Sequence, residues 1–298
     1  MIQCVDLVLF LTDYLQDEKD KIRFLSTCKQ LLSIMFKLVL RTPVDIEKVI
    51  ELPYKQCFTN IIVSNKSELR KLWPDVNKLC ISSTYACDTI DEIPNTITEL
   101  SIIFNTDTYY RNSSGHPKIP STLTNLTELM MGHRYDQVLP NTLTNLTSLD
   151  MGSDYNRVLP STLTNLTELM MGYNYDKVLP NTFTNLTKLN MSEYYNKVLP
   201  STFTNLSKLN MSCEYNRDLP STFINLTSLI MGQCYDKVLP DTLTNLTKLK
   251  MNQDYNKVLP DTFTNLTKLS VPRFYETKIP PKIRNNPNLQ VKYTSSQI

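Results

Sequence analysis

The chain has 298 residues, a length that allows one large domain or two ordinary ones. Of these residues 41% are apolar and 20% are charged, which excludes a highly charged disordered chain and a membrane protein. Its 5 glycines cannot form either common glycine-rich phosphate-binding motif, and its 2 isolated histidines disfavour a zinc hydrolase or histidine-based nucleophilic catalysis. The net charge of +2 is too small to indicate nonspecific nucleic-acid binding.

Residues 1–45 show the spacing of amphipathic helices. Apolar side chains recur at steps of three and four residues, and Asp17 can cap the second of two helices, with Glu18 and Asp20 near its positive end. The segment is too small to form much of a core alone, so its apolar faces need the following part of the chain or a partner. This requirement favours an interaction module. The apolar positions are Leu7, Leu11, Tyr14 and Leu15 in the first run and Ile22, Leu25, Cys28, Leu32 and Met35 in the second.

The N-terminus lacks the pattern of a signal peptide or a membrane span. Its short apolar stretch 7–11 follows Asp6 without a basic region, and the longer run 31–40 is interrupted by Ser33 and Lys37. The 7 cysteines form no C-x-x-C pair, and an odd, unpatterned set favours reduced thiols over a secreted disulfide framework. We therefore expect a soluble cytoplasmic protein that does not bind a membrane.

Residues 46–117 contain short stretches in which apolar and other side chains alternate, which is the period of a β-strand. A polar insertion at 105–117 includes Ser113, Ser114 and Gly115 and predicts a surface loop. We expect this region to form irregular capping coils with an insertion loop. The alternating pairs are Ile61 and Val63, Leu79 and Ile81, and Leu100 and Ile102.

From Pro120 to Pro280 the chain repeats with a period of 20 residues. Each unit reads L-x-x-L-x-x-L-x-M, with Phe replacing the first Leu in several units, and closes with Y-[DN]-x-V-L-P. The alternation in L-x-M predicts one short strand per unit, and the earlier spacing of three predicts a turning path. Twenty residues leave no room for an α-helical return. We therefore expect an extended or 3₁₀ far side and parallel strands about 4.8 Å apart.

This period indicates a quasi-one-dimensional solenoid in which each unit, or coil, buries its apolar residues against its neighbours. We expect eight regular coils over 118–279, then a degenerate last coil and tail over 280–298, in which Leu289 and Val291 repeat the strand signal 20 residues after Leu269. The predicted fold class is α+β, a short helical N-terminal segment followed by a solenoid with one short parallel strand per coil. Positions within a coil are counted from its proline.

The fifth position of every regular coil is an asparagine that begins Asn-Leu-Thr or Asn-Leu-Ser. Each is formally a glycosylation acceptor. Alternatively, an asparagine between two core leucines can hydrogen-bond backbone groups of its turn and side chains of adjacent coils. The lack of a signal peptide favours this ladder over glycans. The threonine at the second position and the tyrosine at the fifteenth should form similar stacks, with the tyrosine hydroxyl near solvent.

The residues that vary between coils flank the predicted strand at the eighth and tenth positions and also occupy the thirteenth and fourteenth. The eighth position changes from acidic to basic along the solenoid. A surface with graded charge and exposed methionine and aromatic side chains suits a protein partner. The alternative is that these positions drift under solubility constraints alone. The residues expected to contact a target are Glu128, Met130, Glu168, Met170, Tyr173, Lys188, Lys208, Lys248 and Lys268.

A second row of cations occupies the seventeenth position of successive coils, from Arg157 to Lys257, and we expect it on another face. Such a row can follow a phosphate backbone, but no aromatic stacking pattern accompanies it, which favours a solvated row over nucleic-acid binding. No nucleophile, base and orienting group occur together outside the repeated polar positions. We therefore expect no enzymatic activity, no metal site and no cofactor.

The stretches L-V-L-F-L-T-D-Y-L at 7–15 and D-K-I-R-F-L-S-T-C-K at 20–29 resemble the F-box, the short helical motif that docks a substrate adaptor onto the Skp-type subunit of a cullin ubiquitin ligase. The best matches are the Tyr-Leu pair at 14–15 and the Thr-Cys-Lys triplet at 27–29. The resemblance implies that this segment contacts a Skp-type subunit. The contacting residues would be Leu7, Leu11, Tyr14, Leu15, Ile22, Leu25, Cys28 and Lys29.

The regular coils, for example Y-N-K-V-L-P-S-T-F at 195–203, resemble FNIP repeats, relatives of leucine-rich repeats that occur in social amoebae and giant viruses. An F-box followed by such repeats is similar to the order in F-box and FNIP-repeat proteins. The resemblance implies an adaptor that presents a bound protein for ubiquitination, in the host cytoplasm if the protein is viral. The competing interpretation is a leucine-rich-repeat binding or adhesion module, unrelated to ubiquitin, that could carry glycans.

Overall fold

The computed structural model describes residues 43–52, 55–83, 92–104 and 118–294. The chain divides into two compact units, Met1–Pro117 and Lys118–Ile298. The helical segment predicted at 1–45 lies outside the described residues except for its last three residues, and so do all the residues expected to contact a Skp-type subunit. The insertion predicted as a surface loop at 105–117 lies outside them as well.

In the first unit, the described residues form four short parallel strands that pair in chain order. The strand signals predicted there are confirmed, because Ile61 pairs with Leu79 and Leu79 pairs with Leu100. All three side chains are buried and form part of the core. The elements are β1 (Val44–Asp45), α1 (Ile46–Val49), the 3₁₀ helix Lys55–Cys57, β2 (Asn60–Val63), α2 (Lys66–Leu69), β3 (Lys78–Ser83) and β4 (Glu99–Phe104).

Side-chain caps hold α1 and α2, the two α-helices among the described residues of the first unit. Asp45 accepts a hydrogen bond from the Glu47 N–H at the start of α1, at 3.2 Å. Asn65 accepts one from the Glu68 N–H at the start of α2, also at 3.2 Å, while the Glu68 carboxylate accepts bonds from the Ser64 N–H and the Asn65 side chain. These reciprocal bonds satisfy backbone donors that a helix start leaves unpaired. Asn65 begins Asn-Lys-Ser, which is formally a glycosylation acceptor, but its side chain serves as a helix cap.

In the second unit, the described residues form nine parallel strands that pair in chain order. Residues 20 apart lie opposite each other, so that Leu229 pairs with both Leu209 and Leu249. This register confirms the prediction of one short parallel strand per coil. The strands are β5 (Glu128–Met130), β6 (Ser148–Asp150), β7 (Glu168–Met170), β8 (Lys188–Asn190), β9 (Lys208–Asn210), β10 (Ser228–Ile230), β11 (Lys248–Lys250), β12 (Lys268–Pro272) and β13 (Gln290–Thr294).

Each regular coil buries the same positions. In the coil that begins at Pro200, Phe203, Leu206 and Leu209 are all buried. Two successive turns lead from the proline to the strand, because the Phe203 N–H bonds to the Pro200 carbonyl at 3.3 Å and the Leu206 N–H bonds to the Phe203 carbonyl at 3.1 Å. Bonds between residues three apart explain why the buried residues before the strand are also three apart.

The tyrosines at the fifteenth position form a stacked column inside the solenoid. The rings of Tyr215 and Tyr235 are nearly parallel, with centroids 6.2 Å apart. The prediction that the hydroxyls lie near solvent is wrong, because these tyrosines are at most 1% exposed. Each phenol reaches inward under the preceding coil, as shown by the Tyr135 hydroxyl, which accepts a bond from the Ile119 N–H at 3.3 Å. Burial raises the pKa throughout the column, and for Tyr275 to about 12.

Adjacent coils approach each other closely at the twelfth position. A Cβ atom at Gly152 would lie 1.8 Å from the carbonyl oxygen of Gly132, and one at Gly232 would lie 1.6 Å from that of Ser212. A side chain at either glycine requires the backbone to move. Ser192, Ser212 and Asn252 occupy the twelfth position in other coils, so the close approach belongs to the coils that have glycine there and not to the position in general.

The last coil differs from the predicted one by two residues. The 20-residue period places Leu289 opposite Leu269, but Leu269 pairs with Val291. The additional length lies between β12 and β13, where the chain forms the 3₁₀ helix Arg273–Lys278 and the helix α3, Pro281–Arg284. Since helical turns replace the turns of a regular coil, the 20-residue register does not continue to β13.

Candidate functional site: the exposed face of the strands

The eighth and tenth side chains of each coil point away from the core of the second unit. In β9, for example, Lys208 and Asn210 are exposed on either side of buried Leu209. Parallel pairing brings each of these positions beside its counterpart in the adjacent coil, about 4.8 Å away. The two columns, from Glu128 and Met130 in β5 to Gln290 and Lys292 in β13, form a continuous surface that we call the strand face.

Most of the residues expected to contact a target lie on the strand face. They are Glu128, Met130, Glu168, Met170, Lys188, Lys208, Lys248 and Lys268. Tyr173 lies outside the two columns, on the turn after β7. Three charged residues outside the expected set also lie in the columns: Asp150, Lys250 and Lys292. Asp150 and Lys250 can be placed on the strand face from the sequence, because they occupy the tenth position of their coils. Lys292 can be placed there only once the pairing of the last strand is known.

Charge is separated along the strand face, with carboxylates toward β5 and lysines toward β13. The acidic end consists of Glu128, Asp150 and Glu168. The basic end consists of Lys248, Lys250, Lys268 and Lys292. An ion pair between Lys188 and Glu168 marks the boundary. No lysine of the basic end forms an ion pair with any other described residue.

Asp150 makes the acidic end sensitive to pH. Partial burial raises the pKa of its carboxyl group, while nearby His133 acts in the opposite direction. The His133 Nδ1 lies 2.9 Å from the Ser153 Oγ, which holds the ring beside this strand. Because a raised pKa favours the protonated form, Asp150 loses its negative charge at a higher pH than an exposed aspartate does.

A groove of about 410 Å³ lies at the basic end, and all four lysines of that end line it. Ile230, which is 38% exposed, also lines the groove, whereas Leu229, Leu249 and Leu269 contribute backbone atoms, because their side chains are buried on the other side of the sheet. None of its lining residues is aromatic. The groove therefore combines exposed Ile230 with four cations that have no anionic partner in the described part of the chain.

An exposed aromatic pair lies on the turns that follow β7 and β8. Tyr173 and Tyr194 are about half exposed, their rings meet edge to face with centroids 5.1 Å apart, and their hydroxyl oxygens are 2.8 Å apart. Paired exposed tyrosines are well suited to anchor a protein partner. Sequence reasoning did not pair these residues, because the thirteenth position of one coil meets the fourteenth of the next only after the coils stack.

The second row of cations lies elsewhere and is partly neutralised. Arg157 pairs with Asp136 at 2.8 Å, and Lys257 pairs with Asp236 at 3.1 Å, each carboxylate coming from the preceding coil. In the coil before that of Lys177, the sixteenth position is an asparagine and not an aspartate. Lys177 accordingly forms no ion pair within the described ranges. This alternation supports a solvated row rather than a continuous track for phosphates.

The asparagine ladder is confirmed. The Asn205 Nδ2 donates to the Thr184 carbonyl oxygen of the preceding coil at 2.9 Å, and the same bond recurs from Asn145 to Asn265. The threonines at the second position donate in the same way, as in the bond from Thr202 to a backbone carbonyl at 2.6 Å. These bonds tie each coil to the one before it on the side of the turns.

In the ranges 43–52, 55–83, 92–104 and 118–294, no three side chains of His, Cys, Asp or Glu are grouped in a way that could hold a metal ion. No helix in these ranges is both long and apolar enough to cross a membrane.

No protein-family model and no curated protein matches the chain. Solved structures do match it. The crystal structure of CroV588, described as a novel circular LRR protein structure, aligns with a TM-score of 0.55 and 23% identity over 80% of this chain and 37% of that chain. An internalin from Listeria monocytogenes aligns with a TM-score of 0.44 and 15% identity over 92% of this chain and 88% of that chain.

The match to CroV588 shows the fold. This chain is a solenoid of coils of about 20 residues, and CroV588, to which it is similar in fold, is described as an LRR protein. It spans 37% of the length of CroV588. At 23% identity the match supports the fold alone and not a function.

Proposed function

We propose that this protein is a noncatalytic interaction scaffold of the cytoplasm that holds a target protein on its strand face. The observation that carries the proposal is the contrast between the buried positions, which are nearly identical in every coil, and the two exposed columns, which differ from coil to coil and separate charge. Stacked repeats provide extended surfaces for such binding. Exposed Met130, Met170 and Ile230 provide apolar anchors among the charges.

We further propose that the scaffold is a substrate-recognition adaptor of a cullin-type ubiquitin ligase. The support is the resemblance of residues 7–15 and 20–29 to an F-box. In this arrangement the N-terminal segment docks onto the Skp-type subunit, the strand face presents the target, and the ligase carries out the chemistry.

The docking step is tested by measuring the binding of the purified full chain to a Skp-type subunit. Replacing both Leu11 and Leu15 with aspartate should abolish binding, because two charges cannot be buried in an apolar interface without partners. Replacing Thr12 and Gln16 with aspartate adds the same charge at the same spacing outside the apolar set, and should leave binding intact. Circular dichroism of both variants reports whether the solenoid is still folded.

Unchanged binding by the Leu11→Asp, Leu15→Asp variant, or equal loss by the Thr12→Asp, Gln16→Asp control, would contradict the adaptor proposal. The scaffold proposal would remain, because it depends on the strand face alone.

The strand face is tested by quantitative mass spectrometry of the proteins captured from the native cell. Met130→Asp with Met170→Asp should remove the target from the captured set. Val138→Asp with Val178→Asp is a matched control, because Val138 and Val178 are also exposed apolar residues of the same coils but lie outside the two columns. Identical captured sets for the two double variants would refute the scaffold proposal.

A further inference from the structure

We infer that the basic end of the strand face binds an extended, acidic segment of the partner, with an apolar side chain of that segment packed against Ile230. The inference rests on the proposed function, because it names the chemistry of the target that the scaffold holds. The acidic end and the Lys188–Glu168 ion pair lie outside this binding site.

The pairing of the strands sets the spacing of the four cations. Lys248 lies directly opposite Lys268, and Lys292 lies opposite Ser270 in the next column. Neighbouring strands are about 4.8 Å apart, and alternate residues along a strand are about 6.7 Å apart. The four ammonium groups are therefore confined to three adjacent coils, and bringing a carboxylate among them relieves their mutual repulsion.

An extended peptide segment matches this spacing. Its alternate side chains are also about 6.7 Å apart, so two carboxylates on one side of the segment can reach Lys248 and Lys250 together. The strand backbone between the lysines then faces the backbone of the segment, and exposed Ile230 faces an apolar side chain of the segment. A partner with charge alone would leave the Ile230 side chain in contact with water.

Two features favour a protein segment over nucleic acid. The lining of the groove has no aromatic residue on which bases could stack. Its cations are all lysines, which act as point charges and lack the planar fork with which arginine recognises phosphate.

The acidic end repels an acidic segment, so the separation of charge restricts such a segment to the β11–β13 side of the strand face.

The probe is a short fluorescein-labelled peptide rich in glutamate with a central leucine, and its binding to the full chain is followed by fluorescence anisotropy. Companion peptides carry glutamine or lysine in place of glutamate. The protein variant is Lys248→Glu with Lys268→Glu. Its matched control is Lys177→Glu with Lys237→Glu, which changes the net charge equally at seventeenth positions that form no ion pair with other described residues.

We expect the glutamate peptide to bind, the glutamine peptide to bind at least about tenfold more weakly, and the lysine peptide not to bind. The Lys248→Glu, Lys268→Glu variant should lose about tenfold or more in affinity for the glutamate peptide, and the control should stay within about twofold. Ile230→Ser should weaken binding of this peptide without changing its dependence on salt, because it removes an apolar contact only.

Four results would overturn the inference. These are equal affinity for the glutamate and glutamine peptides, equal loss in the Lys177→Glu, Lys237→Glu control, tighter binding of a single-stranded RNA than of the glutamate peptide, and lysine-dependent self-association of the chain by sedimentation. A native target that is kept by the Lys248→Glu, Lys268→Glu variant but lost by Met130→Asp with Met170→Asp would overturn it too, and would leave the proposed function standing.

Discussion

Replacing Tyr235 with phenylalanine removes one oxygen atom from the stacked tyrosine column of the second unit. The Tyr235 hydroxyl is buried and has no hydrogen-bond partner among the described residues, whereas in the unfolded chain it bonds to water. Burying a hydroxyl without a partner costs about 1–3 kcal/mol. The ring stacks on Tyr215 and Tyr255 with centroids 6.2 Å apart, and this contact is the same for phenylalanine.

We therefore expect Tyr235→Phe to raise the free energy of unfolding by about 1 kcal/mol, the lower end of that range, because a small void replaces the oxygen. Tyr275→Phe provides a control of opposite sign. The Tyr275 hydroxyl donates to the Lys257 carbonyl oxygen, so its removal should lower the free energy of unfolding by about 1 kcal/mol.

Urea unfolding followed by circular dichroism measures both changes in the same full chain. Equal destabilisation by Tyr235→Phe and Tyr275→Phe would contradict the prediction, since the Tyr235 hydroxyl would then have a partner in solution. Equal stabilisation by both variants would also refute it, because the bond to Lys257 would then contribute nothing.

Three further predictions concern the contacts between coils. The raised pKa values of the buried tyrosines favour the neutral phenol in the folded state. The free energy of unfolding should therefore fall as pH rises from about 10, where unfolded tyrosines ionise, toward about 12, where folded Tyr275 ionises. Urea unfolding across this range should show the decline. Asn205→Ala should cost about 1 kcal/mol, because it removes the 2.9 Å bond to the preceding coil, whereas exposed Thr204→Ala should be nearly neutral in the same assay. Gly152→Ala should lower the midpoint of thermal unfolding and cost about 2 kcal/mol or more, because its Cβ would lie 1.8 Å from a backbone oxygen; an unchanged midpoint would mean that adjacent coils do not approach so closely.

The regular part of the fold could be predicted from the sequence because each coil contains the residues that determine its own turns and strand. The alternation around Leu209 predicts the strand, and the spacing from Phe203 to Leu206 predicts the turns, since both depend on neighbours within a few residues. The asparagine at position 205 was also interpretable, because its repetition between buried leucines leaves few other roles.

The features that the sequence left open all depend on how one coil meets the next. Burial of the Tyr235 hydroxyl depends on the coil packed above its ring, and the pairing of Tyr173 with Tyr194 depends on a contact between different positions of adjacent coils.

Lys292 shows the same limit at the strand face. It joined the basic end only because helical turns in the last coil shift the register by two residues relative to the 20-residue period. The sequence by itself determined the period, the strands and the buried columns of this protein, because these follow from local spacing. Only the tertiary structure decided which charges and rings meet, because those distances are set by the stacking of residues about 20 positions apart.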